Sequence, residues 1–100
     1  GEILSSTSTK KLIAIMEGTA TGLDRLKAGL PKDWKIAHKT GTSAKWNGIM
    51  AATNDVGLLK GPSGEVVAIA VFVADSKASN EERAAVISKA AALATNPLPN

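Results

Sequence analysis

Residues 65–76, EVVAIAVFVADS, decide the fold class, because they carry the strongest strand pattern in the chain. Residues 66–73 are apolar at every position, and no charge or proline interrupts them. A short apolar run bounded by turn residues is typical of a buried β-strand. We therefore predict a strand here with both of its faces buried.

Two further strands are predicted on the N-terminal side of this run. The composition of residues 61–64, GPSG, indicates a turn. Before it lie residues 50–60, MAATNDVGLLK, and residues 34–40, WKIAHKT, which both read as strands. Strands joined by short turns pair antiparallel, so the pattern predicts a three-stranded meander.

Helices are predicted before and after the meander in the sequence. The first spans about residues 7–17, with Ser5 or Ser6 as its N-cap and Gly18 at its end. A second, short helix is predicted over about residues 23–28, before a glycine and a proline. Helices on the faces of an antiparallel sheet form an α+β arrangement.

The last predicted helix starts at a capping box. Ser79 is followed three residues later by Glu82, and the helix is expected to run to about Ala94. Its predicted inward stripe consists of Val86, Ile87, Ala90 and Leu93.

Composition excludes several classes of function. The chain of 100 residues makes one modest domain with 44 % hydrophobic residues. The net charge is +3, but the 12 lysine and arginine residues are scattered along the chain and no aromatic residues interleave with them. We therefore expect no nucleic-acid partner. The absence of cysteine excludes disulfides and thiol catalysis, and with a single histidine it argues against a zinc site. No apolar run approaches the ~18 residues of a membrane span, so we also expect no membrane-spanning segment.

The candidate site is HKTGTS, residues 38–43, at the end of a predicted strand. Lys39 offers an ammonium, and Thr40 and Thr42 offer hydroxyls for directed hydrogen bonds. Gly41 lets a ligand approach the backbone. This set suits a carboxylate ligand, although a strand running into a turn has a similar composition.

A second match to catalytic chemistry is better explained by capping. Residues 8–11, STKK, fit the S-x-x-K pattern of serine acyl-transfer enzymes, and residues three apart share one face of a helix. However, Ser8 falls in the first turn of an amphipathic helix whose lysines point to solvent. We therefore interpret Ser8 as a capping or surface residue.

Other polar and aromatic residues favour structural roles. His38 has no evident second ligand or orienting group nearby in the sequence, so a hydrogen-bonded strand histidine is expected. Asn54 and Asp55 sit where a strand is starting, and a structural role is favoured over a metal or acid–base pair. Trp34 and Trp46 are interpreted as packing residues.

Taken together, these segments resemble the C-terminal part of a class A serine β-lactamase. K-T-G is a signature of these enzymes and of penicillin-binding proteins. The TG-x-x-RLK-x-x-LP segment, the histidine before KTG and the stretch SAKWNGIMAATND resemble the Bacteroides-type, extended-spectrum cephalosporinase branch. The matching pieces cover nearly all of the chain in family order: LIAIMEG, TGLDRLKAGLP, WKIAHKTGTS, ATNDVGLL, VVAIAVFVADS and EERAAVISKAA.

The resemblance implies roles for the motif residues. Lys39 would supply positive potential to the substrate carboxylate and the catalytic serine, and Thr40 would hydrogen-bond that carboxylate. Gly41 would keep the strand edge open to the ligand. The backbone N–H of Thr42 would donate to the oxyanion hole, and Ser43 would border the acyl-amide side chain of the substrate.

The family's other catalytic groups lie upstream of the matching region. These are the nucleophilic serine, the S-D-N loop and the deacylating glutamate. Some members also bind the carboxylate with an arginine, which lies on the strand after KTG or in the last helix. Here Arg83 fits a position in the last helix that is commonly arginine, but the next residue is Ala84, and we do not assign the carboxylate to Arg83. Carboxylate binding is then expected to rest on Lys39 and Thr40, helped by Lys45.

The resemblance also sets the expected organisation and function. Residues 1–100 would be the C-terminal part of an α/β sandwich domain, and the N-terminal remainder would supply further strands and an all-α domain. The complete periplasmic enzyme would hydrolyse β-lactam antibiotics through a serine acyl-enzyme and an activated water, without a metal or cofactor. The isolated chain is predicted to be inactive. A fragment of a penicillin-binding protein or DD-peptidase, and a non-catalytic complement to a missing half, remain as alternatives.

Overall fold

The computed structural model describes residues 3–96, which form an antiparallel sheet flanked by helices. None of the helices in this range is long and apolar enough to span a membrane. The elements in chain order are α1 (Ser6–Glu17), a 3₁₀ helix (Leu26–Gly29), β1 (Lys35–Thr42), β2 (Lys45–Trp46), β3 (Ile49–Lys60), β4 (Val66–Ser76) and α2 (Asn80–Thr95).

The long strand β3 lies in the middle of the sheet. β1 pairs along one edge of β3, with Thr42 opposite Thr53, and β4 pairs along the other edge, with Val66 opposite Lys60. β2 continues on the β1 side, where Lys45 lies opposite Met50. The predicted α+β class and the antiparallel meander are therefore confirmed, with one short strand added.

The added strand β2 arises from a tight hairpin. Asn47 and Gly48 have φ angles of 50° and 75°, and two central residues with positive φ are the pattern of a type I′ turn. The Asn-Gly pair is a strong hairpin signal, and it identifies β2 in retrospect. The packing role predicted for Trp46 is wrong, because the side chain is 78 % exposed beside this turn. Trp34 is half-buried.

The start of α1 follows the predicted cap. Ser5 is the N-cap, and its hydroxyl oxygen accepts a hydrogen bond of 3.1 Å from the backbone N–H of Ser8. The Ser5 hydroxyl in turn donates to the Ser8 Oγ over 3.1 Å. Ser8 is exposed in this cap, which supports its interpretation as a capping residue.

The second helix is shorter and tighter than predicted. The structure has a 3₁₀ turn at Leu26–Gly29 in place of an α-helix over residues 23–28. The turn packs closely on α2: a Cβ added to Gly29 would lie 1.8 Å from the backbone oxygen of Ser88. Glycine at this position therefore permits the contact between the two helices.

The capping box of α2 is confirmed, but its inward face is rotated from the predicted stripe. The Ser79 hydroxyl accepts from the Glu82 N–H at 3.1 Å, and the Ser79 N–H donates to the Glu82 carboxylate at 3.3 Å. Ile87 is buried as predicted, whereas Val86 and Leu93 are exposed. The face toward the sheet repeats every three or four residues and consists of Arg83, Ala84, Ile87, Ala91 and Thr95.

The hydrophobic core lies between α2, the 3₁₀ helix and one face of the sheet. Leu26, Ile87 and Ala91 are fully buried at its centre. Five partly buried residues pack against them: Leu30, Ile36, Ile69, Val71 and Val73.

The prediction that both faces of β4 are buried is wrong for the described residues. Every second residue from 67 to 73 faces α2 and is half-buried, whereas the alternating residues are exposed. Val66 is 63 % and Phe72 is 67 % exposed. The other helix, α1, packs against β1. Within residues 3–96, one face of β4 is therefore largely uncovered, and α1 flanks it across an open groove lined by Leu12, Met16, Ala68 and Ala70.

Candidate functional site

The edge strand β1 directs the backbone of Thr42 away from the sheet. The N–H of Ser43 donates to the carbonyl of Ala52 on β3 over 2.9 Å. In an antiparallel pair, successive residues alternate between pointing their backbone groups toward the partner and away from it. The N–H of Thr42 therefore points to the open edge of β1, where a ligand oxygen can accept from it.

Lys39 places an uncompensated ammonium beside that edge. Its side chain is exposed, and its Nζ donates to the carbonyl of Thr40 at 2.7 Å. Among residues 3–96 no carboxylate forms a salt bridge with Lys39. The charge is therefore available to an anionic ligand, as charge-assisted recognition requires.

The hydroxyl of Thr40 lies near the same edge. Its Oγ1 shares a hydrogen bond of 2.9 Å with the Oγ1 of Thr21, in the segment that leads to the 3₁₀ helix. A hydroxyl keeps further capacity as donor and acceptor when one bond is made. Thr40 can therefore contact a ligand while it is held by Thr21.

Gly41 has a structural reason to be glycine. It lies opposite Asn54, and a Cβ at Gly41 would come within 2.7 Å of the Asn54 Oδ1. The absent side chain makes room for the amide of Asn54 on the same face. The ligand-approach role implied for Gly41 stays a prediction.

Ser43 is held against β3 rather than pointing freely outward. Its Oγ accepts from the backbone N–H of Ala52 at 2.9 Å and lies 3.5 Å from the Sδ of Met50. Its proposed contact with the substrate side chain stays a prediction. Lys45, on β2, is exposed, and its side chain makes no hydrogen bond to the motif in the described part of the chain.

Arg25 is the site residue that sequence patterns did not reveal. Its Nη1 donates to the carbonyls of Asn54 at 2.8 Å and Gly41 at 3.1 Å, and its Nη2 donates to the Oγ1 of Thr42 at 2.6 Å. A second cation therefore contacts the motif itself. The arginine of TGLDRLKAGLP carries this signal, but it precedes the motif, whereas the family resemblance led us to expect an arginine after the motif or in the last helix.

Arg83 is a buried anchor for the start of α2. It is 1 % exposed, and its Nε donates to the Thr53 Oγ1 at 2.9 Å. Its other nitrogens donate to the carbonyl of Ala78 and the side-chain oxygen of Asn80. These contacts join α2 to β3.

His38 and Asp55 form a buried pair behind the motif. Their exposures are 1 % and 0 %, and the His38 Nδ1 lies 2.9 Å from both carboxylate oxygens of Asp55. Asp55 also accepts from the backbone N–H of Leu26 at 3.2 Å. His38 lies opposite Gly57, where a Cβ would come within 3.0 Å of the His38 Cβ. The prediction of a hydrogen-bonded strand histidine is confirmed, and the burial and hydrogen bonds of Asp55 fit the structural role predicted for it.

This fold and this motif can be compared with those of known proteins. Residues 1–98 match the model of the Beta-lactamase2 family, described as the beta-lactamase enzyme family. The chain belongs to this family. The resemblance to class A β-lactamases, which was inferred from the motifs, is confirmed.

Its relatives include β-lactamases of Pseudomonas and Bacteroides. Beta-lactamase VEB-1 of Pseudomonas aeruginosa is 47 % identical over 95 residues, which are 95 % of this chain and 32 % of the relative. A β-lactamase of Bacteroides uniformis is 37 % identical over 90 residues, 88 % of this chain and 30 % of that protein. The chain thus spans about a third of the length of the curated relatives it matches.

Solved β-lactamase structures have the same fold over this region. TLA-1 extended-spectrum β-lactamase matches with a TM-score of 0.83 and 43 % identity, over 89 % of this chain and 33 % of its own. A class A β-lactamase from Bacteroides cellulosilyticus matches with a TM-score of 0.81 and 39 % identity, over 88 % of this chain and 32 % of its own.

Proposed function

We propose that this chain is the C-terminal part of a class A serine β-lactamase and supplies the KTG wall of its active site. The observation that carries the proposal is the Thr42 N–H at the open edge of β1, beside the exposed ammonium of Lys39. A backbone donor next to a cation suits a substrate that has both a carboxylate and a reacting carbonyl. A β-lactam antibiotic has both groups.

In the complete enzyme, the serine of the N-terminal part would attack the β-lactam carbonyl. The carbonyl carbon becomes tetrahedral, and its oxygen gains negative charge. The N–H of Thr42 would donate to that oxygen, with the nucleophile's own N–H as the second donor. Aimed donors of this kind contribute a factor of about 10² to 10³ in rate each. Collapse would break the ring C–N bond, and an activated water would then hydrolyse the acyl-enzyme.

We propose Arg25 as a further group that holds the substrate carboxylate. Lys39 and Thr40 were the expected partners, with help from Lys45. The guanidinium of Arg25 contacts Thr42 and Gly41, while Lys45 lies on β2 and makes no side-chain bond to the motif within residues 3–96. We therefore assign the second cation of the carboxylate site to Arg25 in place of Lys45.

The remaining parts of the proposal concern the complete protein. The N-terminal remainder would add the nucleophile, the S-D-N loop, the deacylating glutamate and further strands beside β4. The family's exported members imply a periplasmic location. No step assigned to residues of this chain requires a metal or cofactor.

A complementation assay tests the proposal. Purified residues 1–100 should leave a chromogenic cephalosporin unhydrolysed, because the nucleophile lies elsewhere, and mixing with the N-terminal part should restore turnover. The variant Ser8→Ala is the matched control, since Ser8 begins the only S-x-x-K match in the sequence. Turnover by the isolated chain that disappears in Ser8→Ala would contradict the proposal. A stable acyl-enzyme without turnover in the mixture would instead favour the DD-peptidase alternative.

A further inference from the structure

We propose that the buried His38–Asp55 pair is a positioning device that holds Arg25 against the motif. The proposal rests on the proposed function, because it concerns how that site is kept in shape. It assigns a role to two polar residues that do not face the substrate.

Asp55 connects β3 to the backbone next to Arg25. The carboxylate is fully buried, and its Oδ2 accepts from the N–H of Leu26 at 3.2 Å. Leu26 directly follows Arg25 in the chain and is itself fully buried. The carboxylate therefore fixes the peptide one residue from the guanidinium.

The local conformation of Arg25 depends on that contact. Arg25 is the N-cap of the 3₁₀ helix, with φ −94° and ψ −123°, and its side chain makes no capping hydrogen bond. The first N–H groups of a helix have no partner within the helix. Asp55 satisfies the N–H of Leu26 from across the core, which leaves the Arg25 side chain free to reach Thr42.

His38 holds Asp55 in place. An ionised carboxylate only accepts hydrogen bonds, so the hydrogen-bond network assigns the proton to Nδ1 of His38. The carbonyl of His38 accepts from the Thr19 hydroxyl at 2.5 Å, so the residue is fixed at both its backbone and its ring. Burying a carboxylate without a hydrogen-bond partner costs free energy, and the imidazole of His38 is such a partner for Asp55.

The environment of the second ring nitrogen of His38 favours a positioning role over a catalytic one. The Nε2 of His38 is buried and has no hydrogen-bond partner within residues 3–96. A general acid or base must reach the proton that it transfers. The ring instead directs its Nδ1 at the two carboxylate oxygens of Asp55, so His38 acts through Asp55 and Arg25.

This arrangement predicts a specific kinetic signature. If Arg25 binds the substrate carboxylate equally in the ground state and the transition state, its displacement raises KM and leaves kcat nearly unchanged. Removing Asp55 frees the N–H of Leu26 and lets Arg25 leave Thr42. We expect Asp55→Ala and Arg25→Ala each to raise KM by about tenfold in the full-length enzyme, with kcat within about threefold of wild type.

The double variant provides the decisive comparison. Residues that act through one another are non-additive, so Arg25→Ala with Asp55→Ala should have the KM of Arg25→Ala alone. Asp55→Asn keeps an oxygen for the N–H of Leu26 and should restore KM to within about threefold of wild type. Thr95→Ala removes a different buried polar group, a hydroxyl that bonds within α2, and serves as the control for general loss of stability with an unchanged KM.

Several outcomes would overturn the proposal. Asp55 would have a purely structural role if Asp55→Ala lowered the fraction of active enzyme and left KM unchanged. The same conclusion would follow if KM rose additively, by about a hundredfold, in the double variant. Should Asp55→Ala not fold, His38→Ala, which leaves Asp55 only the N–H of Leu26, carries the same test.

If the wild-type enzyme hydrolyses no β-lactam, the proposed function fails separately. Positioning is then decided by the Arg25 guanidinium NMR signals, which must shift between wild type and His38→Ala and stay close to wild type in Asp55→Asn; unchanged signals in His38→Ala would overturn it.

Discussion

Lys39→Ala is expected to lower kcat/KM of the complete enzyme for β-lactams by about 10²-fold or more. The exposed ammonium lies at the edge of β1 and has no carboxylate partner within residues 3–96, so its field acts on whatever binds there. The substrate carboxylate and the transition-state charge would both lose this cation. Steady-state hydrolysis of a chromogenic cephalosporin measures the loss.

Lys35→Ala is the matched control for this change. Lys35 is also an exposed lysine of β1, and it lies on the same face as Lys39 because side chains two apart share a face. It is opposite Lys60, at the other end of the strand. Its replacement should change kcat/KM by less than about threefold. An equally small effect of Lys39→Ala would remove Lys39 from the site.

The second large effect concerns the isolated chain, which we expect to aggregate or remain molten. β4 is the outer strand of the described sheet, so alternate N–H and C=O groups along it face outward. Residues 66–73 carry no charge and no proline, and Phe72 is 67 % exposed. Natural sheets avoid such edges because they template pairing with other chains. The N-terminal part should make the chain soluble and ordered.

Amide hydrogen exchange on residues 1–100 alone measures this effect. Fast exchange is expected across residues 66–73, and slow exchange there only after the N-terminal part is added. Exchange at residues 53–60 of β3 shows whether the sheet itself has formed, because these residues are paired on both sides and should exchange slowly only in a folded sheet. Slow exchange across residues 66–73 in a monodisperse monomer would show that the edge is satisfied without a partner, and the fragment proposal would be wrong.

The features that sequence predicted best depend on local chemistry. The Ser5 cap and the Ser79–Glu82 capping box are confirmed because each needs only residues three apart. The strands and the turn at residues 61–64 likewise follow from short patterns. The residue types singled out the motif at the end of β1, whereas its roles were implied by the family resemblance and stay predictions.

The features that were missed depend on contacts through space. Arg25 is 17 residues from Thr42 and reaches it only because the 3₁₀ segment folds back over β1. His38 and Asp55 are also 17 residues apart and meet through the register of β1 and β3. No periodicity in a single sequence reports such pairs.

The wrong burial predictions have a different cause. An apolar pattern reports the burial that a residue has in its complete fold, whatever element provides the cover. Phe72 and Val86 are apolar but exposed within the described residues. Under the proposed function, their covering layers come from the N-terminal part of the enzyme.

The most direct test of the central claim is the structure of the complete enzyme acylated by a slowly hydrolysed β-lactam. We expect the acyl carbonyl oxygen to lie about 2.7–3.1 Å from the backbone nitrogen of Thr42, as an oxyanion hole requires. The substrate carboxylate should contact Lys39, Thr40 and Arg25. An acyl carbonyl turned away from Thr42, with the carboxylate remote from Lys39, would contradict the assignment of residues 38–43 as the wall of the active site.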